Sequence, residues 1–176
     1  MARLWRVDTG KLLHTLRGHT EFVRDVEFSR DGKLLVTASD DSDARIWRIA
    51  TAKTVRILRG HFGPVLAASF SPDRRWVVTA GPRTVGIWDT STGQFFPPTG
   101  LAADPFLRGP ARGPLTSVAF TPNGRRILTA SADGTVRTYF CDACGRIDDL
   151  IRLAQARFAA LRDDLTVAER RRYLRG

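Results

Sequence analysis

The chain has 176 residues and carries 28 Lys and Arg against 18 Asp and Glu, a formal net charge of +10. Its apolar (43%) and charged (26%) fractions are those of a soluble globular domain, and no apolar run approaches the roughly 20 residues that cross a bilayer. The opening MARLWRVDTG lacks the apolar core of a secretory signal, and two cysteines cannot form a disulfide framework, so the expected location is the cytoplasm.

The first elements are a pair of short strands. Ala2-Arg3-Leu4-Trp5 is followed by LLHTL and then Gly18-His19, and the same order returns as Ala44-Arg45-Ile46-Trp47, VRIL and Gly60-His61. Three longer segments then align: VRDVEFSRDGKLLVTASDDSDARIW (23–47), VLAASFSPDRRWVVTAGPRTVGIW (65–88) and LTSVAFTPNGRRILTASADGTVRTY (115–139). Each follows a short phrase, ending in Gly18-His19, Gly60-His61 or Gly109-Pro110. A fixed period of about 42 residues marks a repeat architecture.

Within a unit the apolar residues alternate, as a half-buried strand requires, with Val26 and Phe28 in the first. The stretches Ser29–Gly32, Ser71–Arg74 and Thr121–Gly124 carry turn chemistry: Pro at the second position in two, then Asp or Asn, then Gly in two. A second strand follows (LLVTAS, WVVTA, RILTAS), then a polar turn and a third strand ending on an aromatic residue. A fourth precedes the next Gly-His. The predicted divisions are a partial unit over 1–16, full units over 17–58 and 59–106, a unit over 107–140, and a tail over 141–176. The second unit includes the Pro-rich insertion STGQFFPPTGLAADPF.

Four-stranded meanders at this period resemble the WD-repeat family. The residues that carry the resemblance are Gly18-His19, Asp41 and Trp47 in the first full unit, Gly60-His61 and Trp88-Asp89 in the second, and Asp133-Gly134-Thr135 with Tyr139 in the third. The resemblance implies an all-β fold, a partial WD40 β-propeller of about three blades plus a fragment. It also implies a structural staple: the buried Trp indole bonds a strand hydroxyl, the hydroxyl bonds the Gly-His imidazole, and a carboxylate bonds the imidazole. By position these are His19, Thr37 or Ser39, Asp41 and Trp47. The second unit offers His61, Thr79 and Trp88, but Pro82 stands in the carboxylate position. The third offers Thr129, Asp133 and Tyr139, but Pro110 replaces the His. The set superficially resembles a catalytic triad, yet its hydroxyl would lie buried within a blade.

The tail changes period. Ile147, Leu150, Ile151, Ala154, Phe158 and Leu161 form one helical stripe, and Thr166-Val167-Ala168-Glu169 is a capping box opening a second helix. Cys141-Asp142-Ala143-Cys144 is a lone CxxC with too few partners for zinc and no parallel sheet for redox work. The run CxxCG, IDDLIRLAQARF, LTVAERRRYL resembles the C-terminus of large bacterial proteins that join a STAND-type ATPase or a kinase to a WD-repeat sensor. No GxxxxGK[ST] phosphate loop is present.

These observations predict a protein–protein interaction module, the scaffold or sensor part of a bacterial signalling protein, with no enzyme activity, metal or cofactor. The candidate partner contacts are Phe22, Asp40 and Phe62, which lie beside staple positions without belonging to them. Nucleic-acid binding is the alternative, but the basic residues are dispersed along the chain and it would require them to cluster on one face. Because Met1 falls in the third strand of a unit, the module is expected to be a fragment of a larger propeller, with a non-functional truncated gene product as a further alternative. Self-association is the third route to closure, the LLHTL strand of one copy completing the last blade of another.

Overall fold

The structure, a computed structural model, describes residues 1–96 and 113–141. Most of the insertion after Phe96, the phrase ending in Gly109-Pro110, Cys144 and both predicted tail helices lie outside the described residues. The described residues all belong to one compact unit, Met1–Cys144.

Among the described residues, twelve strands make four antiparallel sheets. Strands β1 (Ala2–Trp5) and β2 (Leu12–Leu16) form a two-stranded ribbon. Strands β3 (Val23–Phe28), β4 (Leu34–Ser39), β5 (Asp43–Arg48) and β6 (Lys53–Arg59) form a four-stranded meander. Strands β7 (Ala67–Phe70), β8 (Trp76–Ala80) and β9 (Val85–Asp89) form the third sheet. The fourth holds β10 (Leu115–Phe120), β11 (Arg126–Ser131) and β12 (Val136–Phe140). Among the described residues, the expected fourth strand of the third sheet is represented by a bridge between Trp88 and Phe95, with Phe96 N donating to Ile87 O at 2.7 Å.

Equivalent positions occupy equivalent registers. Trp47, Trp88 and Tyr139 pair with Leu35, Val77 and Ile127, and Thr37, Thr79 and Thr129 pair with Arg45, Gly86 and Arg137. The first hairpin of each sheet turns through the same geometry. Ser29 Oγ, Ser71 Oγ and Thr121 Oγ1 donate to Asp31, Asp73 and Asn123 at 2.6–2.8 Å. A left-handed residue follows, with φ of 68° at Gly32, 62° at Arg74 and 71° at Gly124.

The core lies between sheets, not within any one of them. Val36, Ala38, Ala44 and Ile46 pack against Ala68, Phe70, Val77 and Trp88 of the next sheet. On the other side of that sheet, Trp76, Val78, Val85 and Ile87 pack against Leu115, Val118, Ile127 and Cys141. Leu16 of the ribbon meets Leu35 and Trp47. Burying both faces explains why β7 and β8 are buried at every position while β3 alternates.

Candidate functional site

Two polar networks pin the sheets from one edge. In the first full sheet, Trp47 Nε1–H donates to Thr37 Oγ1 at 2.9 Å, and Thr37 Oγ1 lies 2.7 Å from His19 Nε2. His19 Nδ1 lies 2.8 Å from Asp41 Oδ2. The carboxylate can only accept, so the neutral ring carries its proton on Nδ1 and donates it to Asp41; Nε2 then accepts from the Thr37 O–H, whose oxygen accepts from the indole. Asp41 also accepts the backbone N–H groups of Thr20 and Asp43. Burial alone would raise the pKa of Asp41, but these donors outweigh it and hold the carboxyl below its usual range. Burial lowers the pKa of His19, with Asp41 opposing, so the ring is neutral at pH 7. Thr37, not Ser39, is the hydroxyl; Ser39 Oγ accepts from Asp41 N.

The second network is complete in a way that the sequence pattern conceals. Trp88 Nε1–H donates to Thr79 Oγ1 at 2.7 Å, and Thr79 Oγ1 lies 2.6 Å from His61 Nε2. Where Pro82 removes the carboxylate, the Thr84 hydroxyl stands 3.2 Å from His61 Nδ1. Thr84 is in register with Asp43, two residues beyond the expected position. Burial lowers the pKa of His61 to about 4. Gly86 is required here, because a Cβ on it would meet Thr79 Oγ1 at 2.8 Å and Trp88 Nε1 at 2.9 Å.

The fourth sheet forms no such network among the described residues. Thr129 Oγ1 is buried with no hydrogen-bond partner there. Asp133 accepts from Thr135 N and Oγ1 at 3.0 and 2.6 Å, which ties it into its own turn. Tyr139 is half-buried opposite Ile127. Thr37 and Thr79 lie within strands and are fully buried, and His61 is buried in its loop. Among the described residues, no group of three or more His, Cys, Asp and Glu side chains could hold a metal ion, and no helix is long and apolar enough to cross a membrane.

The loops that hold His19 and His61 also present the candidate contact residues. Phe22 is 74% exposed and Phe62 is 93% exposed. Arg24 clamps Asp40 with Nη2 at 2.5 Å from Oδ2, holding that carboxyl below its usual pKa, and its guanidinium stands 5.9 Å from the Phe22 ring centroid. Phe22 O accepts from Asp40 N at 2.9 Å, so the turn between β4 and β5 is tied to the Gly-His loop.

Sheets of three or four antiparallel strands packed face to face, two of them stapled through a Trp–hydroxyl–imidazole chain, define a β-propeller blade repeat. The chain matches the WD domain, G-beta repeat family over residues 10–48, 52–89 and 105–139, and it belongs to that family. It is 31% identical over 145 residues to eukaryotic translation initiation factor 3 subunit I of Bombyx mori, an alignment covering 78% of this chain and 44% of that protein. It is 50% identical over 42 residues to nuclear distribution protein PAC1 of Arthroderma otae, covering 24% of this chain and 9% of the relative. It is also 31% identical over 145 residues to the DENN domain and WD repeat-containing protein SCD1 of Arabidopsis thaliana, covering 82% of this chain and 8% of that protein. The chain thus spans less than half the length of each of these curated relatives.

Proposed function

We propose that the chain is a protein-interaction scaffold whose contact surface is the rim formed by the Gly-His loops and the β4–β5 turn. WD40 repeats are typically such modules, and the relatives are named as parts of larger assemblies or multidomain proteins. The observation that carries the reading is the pair of exposed rings, Phe22 and Phe62, on loops otherwise fixed by the staples. Rigid aromatic anchors on a pre-organised rim lose little entropy on binding and make effective contact centres. Asp40, held by Arg24, supplies a fixed polar group beside them.

Membership of a bacterial signalling protein rests on the tail sequence alone. The relatives named above come from an insect, a fungus and a plant, and give that context no support. The scaffold reading is tested by affinity co-purification from the source organism, comparing the wild-type chain with a Phe22→Ala/Phe62→Ala double variant of unchanged circular dichroism. Partners should be lost with both rings removed. Full retention of every partner by the double variant rejects this rim as the contact surface.

A further inference from the structure

We propose that the opposite rim, built from the first hairpin turn of each sheet, binds the phosphate backbone of a nucleic acid. This surface is separate from the Gly-His rim and stands or falls independently of the scaffold reading. Its charge is hidden in the sequence because each turn contributes only two cations: Arg30 and Lys33, then Arg74 and Arg75, then Arg125 and Arg126. The fold brings the turns together. Arg74 Nη1 donates to Asp31 Oδ2 at 2.6 Å and joins the second turn to the first. Gly124 sits so close to Pro72 that an added Cβ would lie 3.5 Å from its Cδ, which joins the third turn to the second. Arg30, Pro72 and Pro122 share one shallow cleft, and Lys33, Arg48 and Arg74 share another.

All seven cations are exposed. The carboxylates on this rim are committed to the fold. Asp31 and Asp73 accept the backbone N–H groups of Lys33 and Arg75, and Asp89 accepts those of Ser91 and Thr92. Glu27, half-buried in the first cleft, accepts from Ser69 Oγ and Phe70 N. In the third turn the cap is a neutral Asn123. On the Gly-His rim three of the arginines have acidic partners: Arg24 pairs with Asp40, Arg59 with Asp43 and Arg137 with Asp133.

The chemistry selects among anions. Lys33, Arg48 and Arg74 line one cleft, and the cations as a set recur turn by turn along the three larger sheets, as a polymer of repeated phosphates requires. All but Lys33 are arginines, whose planar fork takes two phosphate oxygens at once. A membrane surface would ask for apolar side chains between the cations, and the three turns contain none larger than proline. Contacts of this kind position a backbone and read no bases, so binding should be independent of sequence.

The test uses the full chain and a fluorescent single-stranded oligonucleotide of about 20 nucleotides, followed by anisotropy as salt is raised. Each phosphate engaged contributes about −0.7 to the slope of log K against log salt, so six contacts give about −4. Arg30→Gln/Arg75→Gln/Arg125→Gln should flatten the slope by about 2 and weaken binding at least about tenfold at low salt. An Arg24→Gln/Arg83→Gln variant on the other rim should bind within about twofold of wild type. All these positions are exposed, and circular dichroism verifies each variant's fold. As a second measurement that needs no variant, photo-cross-linking of a 4-thiouridine oligonucleotide should label peptides containing the hairpin turns. Absence of binding at low salt overturns the proposal. So does equal weakening by the two variants, labelling confined to the Gly-His loops, or binding to phosphatidylserine vesicles without binding to the oligonucleotide.

Discussion

At the scale of single residues, the two staples differ in chemistry but not in completeness. The sequence pattern predicts that Trp47 contributes more than Trp88, because only the first unit shows a carboxylate behind its histidine. Thr84 removes that reason: both indoles are 1% exposed and both reach a hydroxyl. Trp47→Ala and Trp88→Ala should each cost about 3–5 kcal/mol in urea unfolding, and Tyr139→Ala distinctly less. Thr84→Val, which removes one partner of His61, should cost about 1 kcal/mol. The burial of His61 also makes stability pH-dependent. Its folded pKa of about 4 lies below the unfolded value of 6.5, so its contribution is fully present above pH 6.5 and is lost as pH falls toward 4. The loss amounts to about 3 kcal/mol. Urea titrations between pH 7 and pH 4 should show this decline, and His61→Gln should flatten it.

At the scale of elements, the links between sheets were the least legible feature of the sequence. Strand β3 alternates apolar and polar residues, which reads as one face to the core and one to water. Yet Asp25 Oδ2 and Glu27 Oε1 accept the N–H groups of Ala68 and Phe70, at 3.1 and 3.0 Å, along the edge of β7. Two charged residues that read as solvent-facing therefore cap an otherwise unpaired strand edge. No periodicity could show this, since the partner strand lies more than 40 residues away. Burial raises the pKa of Glu27, opposed by its bonds to Phe70 N and Ser69. Glu27→Gln keeps an acceptor without the desolvated charge and should match wild-type stability within about 1 kcal/mol at pH 7, whereas Glu27→Ala should lose about 1–3 kcal/mol. The hairpin turns, by contrast, were plain from Ser/Thr-Pro-Asp/Asn spacing alone. Their one irregularity is Arg74, which holds the left-handed position that Gly32 and Gly124 occupy in the other turns. Arg74→Gly relieves that backbone at the expense of an exposed ion pair, and melting should show a stability unchanged or raised by up to about 1 kcal/mol.

At the scale of the whole molecule, the fold class was legible because three concordant copies of one pattern fixed strands, turns and register together. What the copies could not show is how completely each sheet is covered. Ala68 and Phe70 of β7 are 2% and 6% exposed beneath Val36 and Ile46 of the preceding sheet. Their counterparts on β3, Val26 and Phe28, are each 51% exposed, because the ribbon β1–β2 reaches only as far as Leu35 and Trp47. The complementary face, which Val36, Ala38 and Ala44 provide in the first full sheet, recurs on the last sheet as Leu128, Ala130 and Val136, the last 69% exposed. These two partly exposed faces repeat the residue pattern of the two halves of an interface the chain makes within itself, so self-association through them is a testable expectation. Light scattering should find concentration-dependent association of the purified chain, driven by apolar burial. Phe28→Asp should shift the material toward monomer with its strand content intact, while Phe70→Asp, inside the covered interface, should unfold it. A chain that stays monomeric at every accessible concentration would show that these faces do not recognise each other.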